Sequence, residues 1–282
     1  MTISELTALG NKRLEEAGIA DHKTDAYIFL EEALNKNRTY ILSNGDEPVD
    51  EGVCGRYMSY ITGREKRVPL QYILGKADFM GLEFYVNPSV LIPRFDTEFV
   101  TEELMLKTDD GMRVLDLCTG SGCILLSLMC YKNDIEGVGC DISADALSVA
   151  EKNKRKLTGE GRLNGRASFI QSDLFENISG IFDCLVSNPP YIKSGDIDTL
   201  MTEVKDFEPK TALDGGGDGL EFYRRIADRA YSYLSPEGKI VLEIGYNQGE
   251  EVSRIFRENG YRNVEVKKDY SGNERVMTCL NR

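Results

Sequence analysis

The chain has 282 residues, of which 41% are hydrophobic and 29% charged, and it carries a formal net charge of −13. That balance describes a globular protein of one large or two smaller domains. It argues against a chain whose main partner is nucleic acid, because phosphate neutralisation asks for a basic footprint. The acidity is spread along the chain, with 10 Lys+Arg against 13 Asp+Glu in residues 1–80 and 24 against 34 in the remainder. A basic protein partner suits it better. No run approaches the 18 apolar residues of a membrane span, and the N-terminus lacks a basic-then-apolar leader, so a cytoplasmic protein is expected. The seven cysteines form no C-x-x-C pair, and with one histidine, His22, a zinc site is not supported. Cys118, Cys123, Cys130, Cys140 and Cys184 fall in apolar patterns and are expected to be small buried residues with reduced thiols.

The first 65 or so residues read as helices. From His22 to Leu34 the apolar residues Ala26, Phe29, Leu30, Ala33 and Leu34 recur at helical spacing, with Glu31 and Glu32 outward. Gly18, Asn44-Gly45 and Pro48 mark turns. A helical domain is expected over 1–68, and a β-hairpin linker over 69–92, where Gly75 and Met80-Gly81 break an alternating pattern. From 93 to 282 strand and helix alternate, which predicts an α/β domain with a parallel sheet.

Residues 112–122, Met-Arg-Val-Leu-Asp-Leu-Cys-Thr-Gly-Ser-Gly, precede the apolar stretch Cys123–Met129 and read as strand, glycine turn and helix. Gly120 and Gly122 allow close approach to a ligand, and the helix offers free N–H groups. Asp116 stands beside the turn. A second strand, Gly137–Asp141, ends in an acid about 20 residues beyond the glycine turn, where a carboxylate can bind ribose hydroxyls. A third, Ala167–Leu174, also ends in an acid, Asp173. Three strands ending in polar groups describe a ligand crevice at the carboxyl edge of a parallel sheet. A dinucleotide wants G-x-G-x-x-G, but the turn here is Cys118-Thr119-Gly120-Ser121-Gly122, preceded by Asp116. That acid would repel a pyrophosphate and suits the cationic end of S-adenosylmethionine.

The fourth strand, Phe182–Ser187, runs into Asn188-Pro189-Pro190-Tyr191. Two prolines stop a strand and donate no backbone hydrogen. The Asn188 side-chain oxygen and a proline carbonyl can accept both hydrogens of a planar NH2, with Tyr191 over its face. The segment Ile192–Asp218, containing Gly195, Pro209 and Gly215-Gly216-Gly217, is long enough for a lid. The tail reads as two strands, Asn263–Lys267 and Arg275–Leu280.

These blocks in this order resemble class I methyltransferases, and more closely the HemK/PrmC family of glutamine methyltransferases acting on peptide chain release factors. The resemblance spans nearly the whole chain. It includes Pro69-Leu70-Gln71-Tyr72-Ile73-Leu74-Gly75 and Leu91-Ile92-Pro93-Arg94-Phe95-Asp96-Thr97-Glu98 before the glycine turn. It includes Glu208-Pro209-Lys210-Thr211-Ala212-Leu213-Asp214-Gly215-Gly216 and Leu242-Glu243-Ile244-Gly245 after N-P-P-Y. It implies a Rossmann-like, seven-stranded, mostly parallel sheet ending in a hairpin with one antiparallel strand. It implies cofactor contacts from Asp116, Cys118, Thr119, Gly120, Ser121, Gly122, Asp141, Asp173, Leu174 and Asn188. Asn188, Pro189, Pro190, Tyr191 and Arg94 would meet the substrate, with Asn188, Pro189 and Tyr191 doing the chemistry. The implied substrate is the glutamine of a Gly-Gly-Gln tripeptide in class I release factors, modulating translation termination, with the helical domain as docking surface. Three positions depart from the family. Cys118 stands where glycine usually opens the turn and is expected in a strand-end conformation. Phe95 replaces a proline. Leu174 stands where some relatives have tryptophan. N-P-P-Y is also compatible with methylation of an adenine or guanine amine, and a non-catalytic nucleoside-binding module is a third reading.

Overall fold

A computed structural model describes residues 1–282. Contacts divide the chain into two units, Met1–Gly75 with Met201–Phe207, and Lys76–Leu200 with Glu208–Arg282.

The first unit is helical: α1 (Ile3–Glu16), α2 (His22–Leu34), α3 (Arg38–Ser43), α4 (Glu51–Glu65) and α5 (Leu70–Leu74). Thr2 and Glu5 cap α1 reciprocally, each side chain on the other's backbone N–H. Asn35, at φ 51°, ends α2 in the left-handed conformation that asparagine tolerates. Ala26, Phe29, Leu30 and Ala33 of α2 face a core shared with Leu6, Leu14, Tyr57 and Ile61. At Gly10 even a Cβ would lie 1.9 Å from the Tyr57 hydroxyl, so α1 and α4 approach through a missing side chain. The buried Arg64 guanidinium donates from Nε to Asp25 at 2.8 Å and from Nη1 to Glu203 at 2.9 Å. That pairing ties the 201–207 segment into the helical unit, although its place in the chain is well inside the α/β region. Residues 70–74 are also helical, where a hairpin strand was expected; the hairpin is confined to 76–85. Gly75, at φ 70°, ends that helical turn and starts the strand.

The second unit opens with the hairpin β1 (Lys76–Phe79) and β2 (Leu82–Tyr85), followed by α6 (Phe95–Lys107). The strands β3 (Arg113–Leu117), β4 (Ile135–Asp141), β5 (Gly165–Gln171), β6 (Phe182–Ser187), β7 (Leu234–Glu243), β8 (Arg262–Lys268) and β9 (Glu274–Leu280) form one sheet. Helices α7 (Cys123–Tyr131) and α8 (Ala144–Gly159) connect its first strands. The order is β5-β4-β3-β6-β7-β9-β8, parallel except that β9 runs against both neighbours. The expected seven-stranded, mostly parallel sheet with a terminal hairpin is therefore present.

Alternation along the strands supplies two cores. Leu115, Leu117 and Leu185 face one with Tyr223 and Phe256, while Val114, Cys184 and Val186 face the other with Leu125 and Leu128. Helix α7 is buried from Cys123 to Met129, which explains why its sequence is apolar all round. Burying one leucine side chain of this kind contributes about 1.5–3 kcal/mol.

The chain moves outward from β3 to β4 to β5 and then returns to β6 on the other side of β3. That reversal opens a crevice beyond the carboxyl ends of β3 and β6. Register decides what stands around it. Leu117 pairs with Cys140 and with Ser187, Asp141 pairs with Gln171, and Ser187 pairs with Leu242. The segments after β3, β4, β5, β6 and β7 thus emerge along one edge.

Candidate active site

At that edge lies a cavity of about 490 Å³ within the second unit, a size typical of small-molecule sites. The glycine turn supplies one wall. Cys118 has φ 57°, a left-handed conformation rather than the strand-end geometry expected, and it is half-buried with its thiol pushed well up by burial. For a residue with a Cβ this conformation costs about 1–2 kcal/mol; the family's usual glycine occupies it without strain. Gly120 and Gly122 also have positive φ, at 54° and 77°. Gly122 precedes α7 without a side-chain cap, which leaves N–H groups of the helix start available. The buried Asn153 side chain braces the turn, donating to the Ser121 carbonyl at 2.9 Å while exchanging two hydrogen bonds with the Tyr85 backbone.

Asp141 lines the cavity. Its carboxylate accepts from the Gly120 N–H at 2.9 Å and from the Ser143 N–H at 2.9 Å, which aims it over the turn. Burial raises its pKa and those two hydrogen bonds oppose the rise. Strand β5 ends at Gln171, so Asp173 stands in the following turn instead of closing the strand, and it accepts from Arg225 at 2.7 Å. Leu174, at φ 49°, is buried beneath it. Both line the cavity, as do Cys118, Thr119, Gly120 and Ser121.

Asp116 is placed differently. It is fully buried and is not part of the cavity wall. The Thr119 hydroxyl donates to its Oδ2 at 2.6 Å while Oδ1 has no hydrogen-bond partner. Burial, assisted by Asp141, pushes its pKa up to about 7. Its reach toward a ligand runs through Thr119, which does line the wall. Gly122 is likewise behind the surface.

Asn188, Pro190 and Arg94 line the same cavity, and Asn188 follows Ser187, which pairs with Leu117 just ahead of the glycine turn. Asn188 donates from Nδ2 to the Thr97 hydroxyl at 3.2 Å, and that hydroxyl donates to Glu243 Oε2 at 2.7 Å. Tyr191 does not line the cavity. Its ring is packed inward and its hydroxyl donates to Glu243 Oε1 at 3.1 Å, so it braces the carboxylate where stacking on an amide was expected. Pro189 also lies behind the wall. Arg94 is paired with the buried Glu208, whose other oxygen accepts from the Ile92 N–H at 3.3 Å. Glu243 itself is 1% exposed, and burial pushes its pKa up to about 7 against hydrogen bonds from Thr97 and Tyr191 and the charge of Arg275.

The site residues that sequence reasoning missed are Thr97 and Glu243. Both stand inside recognisable blocks, but neither block says that they meet, 146 residues apart. Arg225 and Phe222, which also line the cavity, belong to a helix that carried no motif. Of the cysteines expected to be buried, Cys118 and Cys130 are only half-buried. The 192–218 segment carries helical turns at 194–199, 202–205 and 210–212 and is pinned at its ends by pairing of Ile192 with Asp214.

An acid-lined cavity with the glycine turn and Asn188 both on its wall suits a cationic nucleoside and disfavours a pyrophosphate. Sheet order and site together define a class I methyltransferase fold. Residues 5–75 match the PrmC N-terminal domain and residues 95–218 the Methyltransferase small domain. A release factor glutamine methyltransferase from Clostridium acetobutylicum is 39% identical over 272 residues, 95% of this chain and 94% of that one. A release factor glutamine methyltransferase from Agrobacterium fabrum is 38% identical over 283 residues, 98% and 96% of the two chains. Among solved structures, a 16S rRNA methyltransferase from T. thermophilus in complex with AdoMet and guanosine superposes with a TM-score of 0.51 at 19% identity. It covers 73% of this chain and 50% of that one. The chain belongs to the release factor glutamine methyltransferase family.

Proposed function

We propose that this protein transfers a methyl group from S-adenosylmethionine to the side-chain amide nitrogen of the Gly-Gly-Gln glutamine in class I peptide chain release factors. The observation that carries this reading is that Asn188 lines the same acid-lined cavity as the glycine turn and Asp141. Membership of a family named for this reaction supports it.

When bound, S-adenosylmethionine supplies a methyl group on a positively charged sulfur. Asp141 would accept from ribose hydroxyls, Asp173 and Leu174 would border the base, and the turn from Cys118 to Ser121, with Gly122 behind it, would approach the nucleoside. Thr119, backed by Asp116, would receive the amino-acid end. The acceptor on the cavity wall is the Asn188 Oδ1, a backbone carbonyl of the proline turn would be the second, Pro190 and Tyr191 fix that turn, and Arg94 stands at the substrate side. An amide nitrogen is a weak nucleophile because its lone pair is delocalised into the carbonyl. Two fixed acceptors orient it, and their hydrogen bonds strengthen as its N–H groups become more acidic along the reaction. The helical unit is the docking part for the release factor, and the cytoplasm is the site of action. No helix is long and apolar enough to cross a membrane.

The same acceptor pair would hold an exocyclic amine of adenine or guanine, but the net charge of −13 disfavours a nucleic-acid substrate. Mass spectrometry of purified class I release factors, incubated with the protein and S-adenosylmethionine beside a duplex DNA control, separates the two. One added methyl on the Gly-Gly-Gln glutamine supports the proposal. Methylated adenine in the DNA and none in the protein keeps the site and replaces the substrate. No methyl on either overturns the reading.

A further inference from the structure

The side-chain amide of Asn188 has an oxygen and an NH2 of nearly equal size, and only its surroundings decide which faces a substrate. Thr97, near the start of α6, offers it one hydroxyl, with a single proton and two lone pairs. That hydroxyl stands 2.7 Å from Oε2 of Glu243, at the end of β7, and 3.2 Å from Nδ2 of Asn188, just beyond β6. We infer that Glu243 and Thr97 are positioning residues for the methyl-accepting site: the Glu243 carboxylate binds the Thr97 hydroxyl proton, leaves Thr97 only lone pairs for Asn188, and so turns the Asn188 oxygen toward the cavity.

The logic is one of donors and acceptors. An ionised carboxylate only accepts. Its second oxygen takes the Tyr191 hydroxyl at 3.1 Å, so the segment that carries Asn188 is held to Glu243 twice, once through Thr97 and once through Tyr191. With its proton committed to a charged acceptor, the stronger kind of hydrogen bond, Thr97 can only accept from the amide NH2. A flipped Asn188 would set two acceptors against each other at 3.2 Å and would present donors to a substrate NH2. Protonating Glu243 removes the constraint, since a carboxylic acid can donate to Thr97 and free the threonine proton to point at Asn188. The relay therefore works in the ionised state and fails as pH falls through Glu243's pKa, which burial pushes up to about 7.

Asp116 on β3 is the other acid pushed up to about 7, and burial pushes the Cys123 thiol of α7, which feels both acids, up to about 12. Arg275 of β9 contributes positive charge and pairs with Asp96 at 2.8 Å and with Asp269 at 3.2 Å. Asp96 of α6 acts in the opposite direction on Glu243. Asp269 is lowered overall and stays ionised. Tyr223 donates to the Glu243 backbone carbonyl at 2.9 Å, and burial holds both Tyr191 and Tyr223 protonated far above neutral pH.

For its effect on turnover the inference rests on the methyl-transfer reading, but the relay can be observed without any substrate. In the substrate-free protein, the Asn188 side-chain NH2 signals, identified by their loss in Asn188→Ala, are followed by NMR from pH 5.5 to 8.5. They are expected to move with a midpoint near 7 and to lose most of that movement in Glu243→Gln, which cannot titrate, any remainder belonging to Asp116 on β3, also pushed up to about 7. Signals that do not move in the wild type, or that move identically in Glu243→Gln, overturn the relay. In single-turnover methylation, Thr97→Val is expected to lose about tenfold or more in rate at saturating cofactor, while Thr97→Ser stays within about threefold. Equal rates in the two variants also overturn it. Should Thr97→Val fail to fold, Thr97→Ser and the pH profile of Glu243→Gln still decide the matter. A wild type that methylates no release factor sinks the proposed function and leaves the NMR result standing.

Discussion

Replacing Asn188 by alanine isolates the acceptor oxygen from the rest of the site. The side chain makes one protein hydrogen bond, the 3.2 Å contact with Thr97. Thr97 keeps its 2.7 Å bond to Glu243 in the variant, so no buried donor is orphaned. Losing one ordinary hydrogen bond costs about 1 kcal/mol of stability, too little to unfold the unit. In turnover the loss is larger, because the oxygen is a fixed partner for N–H groups whose acidity grows only as the methyl moves. By analogy with the removal of one oxyanion-hole donor, about 2.7 kcal/mol of transition-state stabilisation disappears, or roughly 100-fold in rate. The assay is rapid-quench single turnover, following labelled methyl from saturating S-adenosylmethionine into a class I release factor. Cofactor affinity is measured alongside by calorimetry and is expected to change by less than about threefold. A loss in rate of under about tenfold, or one fully recovered by more cofactor, would refute the reasoning.

Asp141→Ala is expected to weaken cofactor binding by about 10- to 100-fold, since a charged acceptor and the brace on Gly120 are lost together; calorimetry giving an unchanged Kd would exclude the ribose-acceptor role. Asn153→Ala removes one buried and two partly buried hydrogen bonds around the glycine turn and is expected to lower stability by about 2–3 kcal/mol, read as a lower urea midpoint. Asp116 gives a pH prediction with a definite sign. Its folded pKa of about 7 lies above the ordinary carboxylate value, so the folded state takes up a proton and gains stability at low pH. That gain is lost as pH rises through about 7. Between pH 5 and 8 the wild type should lose about 2–3 kcal/mol relative to Asp116→Asn; parallel urea curves at the two pH values would refute it.

The elements most legible in the sequence were those whose role is written locally. Val114 to Leu117 read as a buried strand and Gly120 and Gly122 as a tight turn, because a short apolar run bounded by two closely spaced glycines stops too early for a helix. Asn188-Pro189-Pro190 announced itself because two prolines end a strand abruptly. Boundaries blurred where two structures share one pattern. Residues 70–74 are too few to show a helical period, yet they form a helical turn that opens after Pro69 and ends at the left-handed Gly75. Asp173 seemed to end a strand that in fact stops at Gln171, leaving the acid to pair with Arg225.

By itself the sequence determined the class of sheet, the glycine turn, the acids near it and the amide at the end of β6, since each follows from the steric and donor–acceptor properties of adjacent residues. Only the tertiary structure decided what those groups face. Strand order and register set Asn188 beside the glycine turn and brought Thr97 from α6 to Glu243 at the end of β7. It turned Tyr191 inward to that carboxylate, away from the cavity, and it placed Asp116 behind Thr119. The orientation of a side-chain amide and the ionisation of a buried acid depend on partners distant in the chain, so no local pattern could specify them.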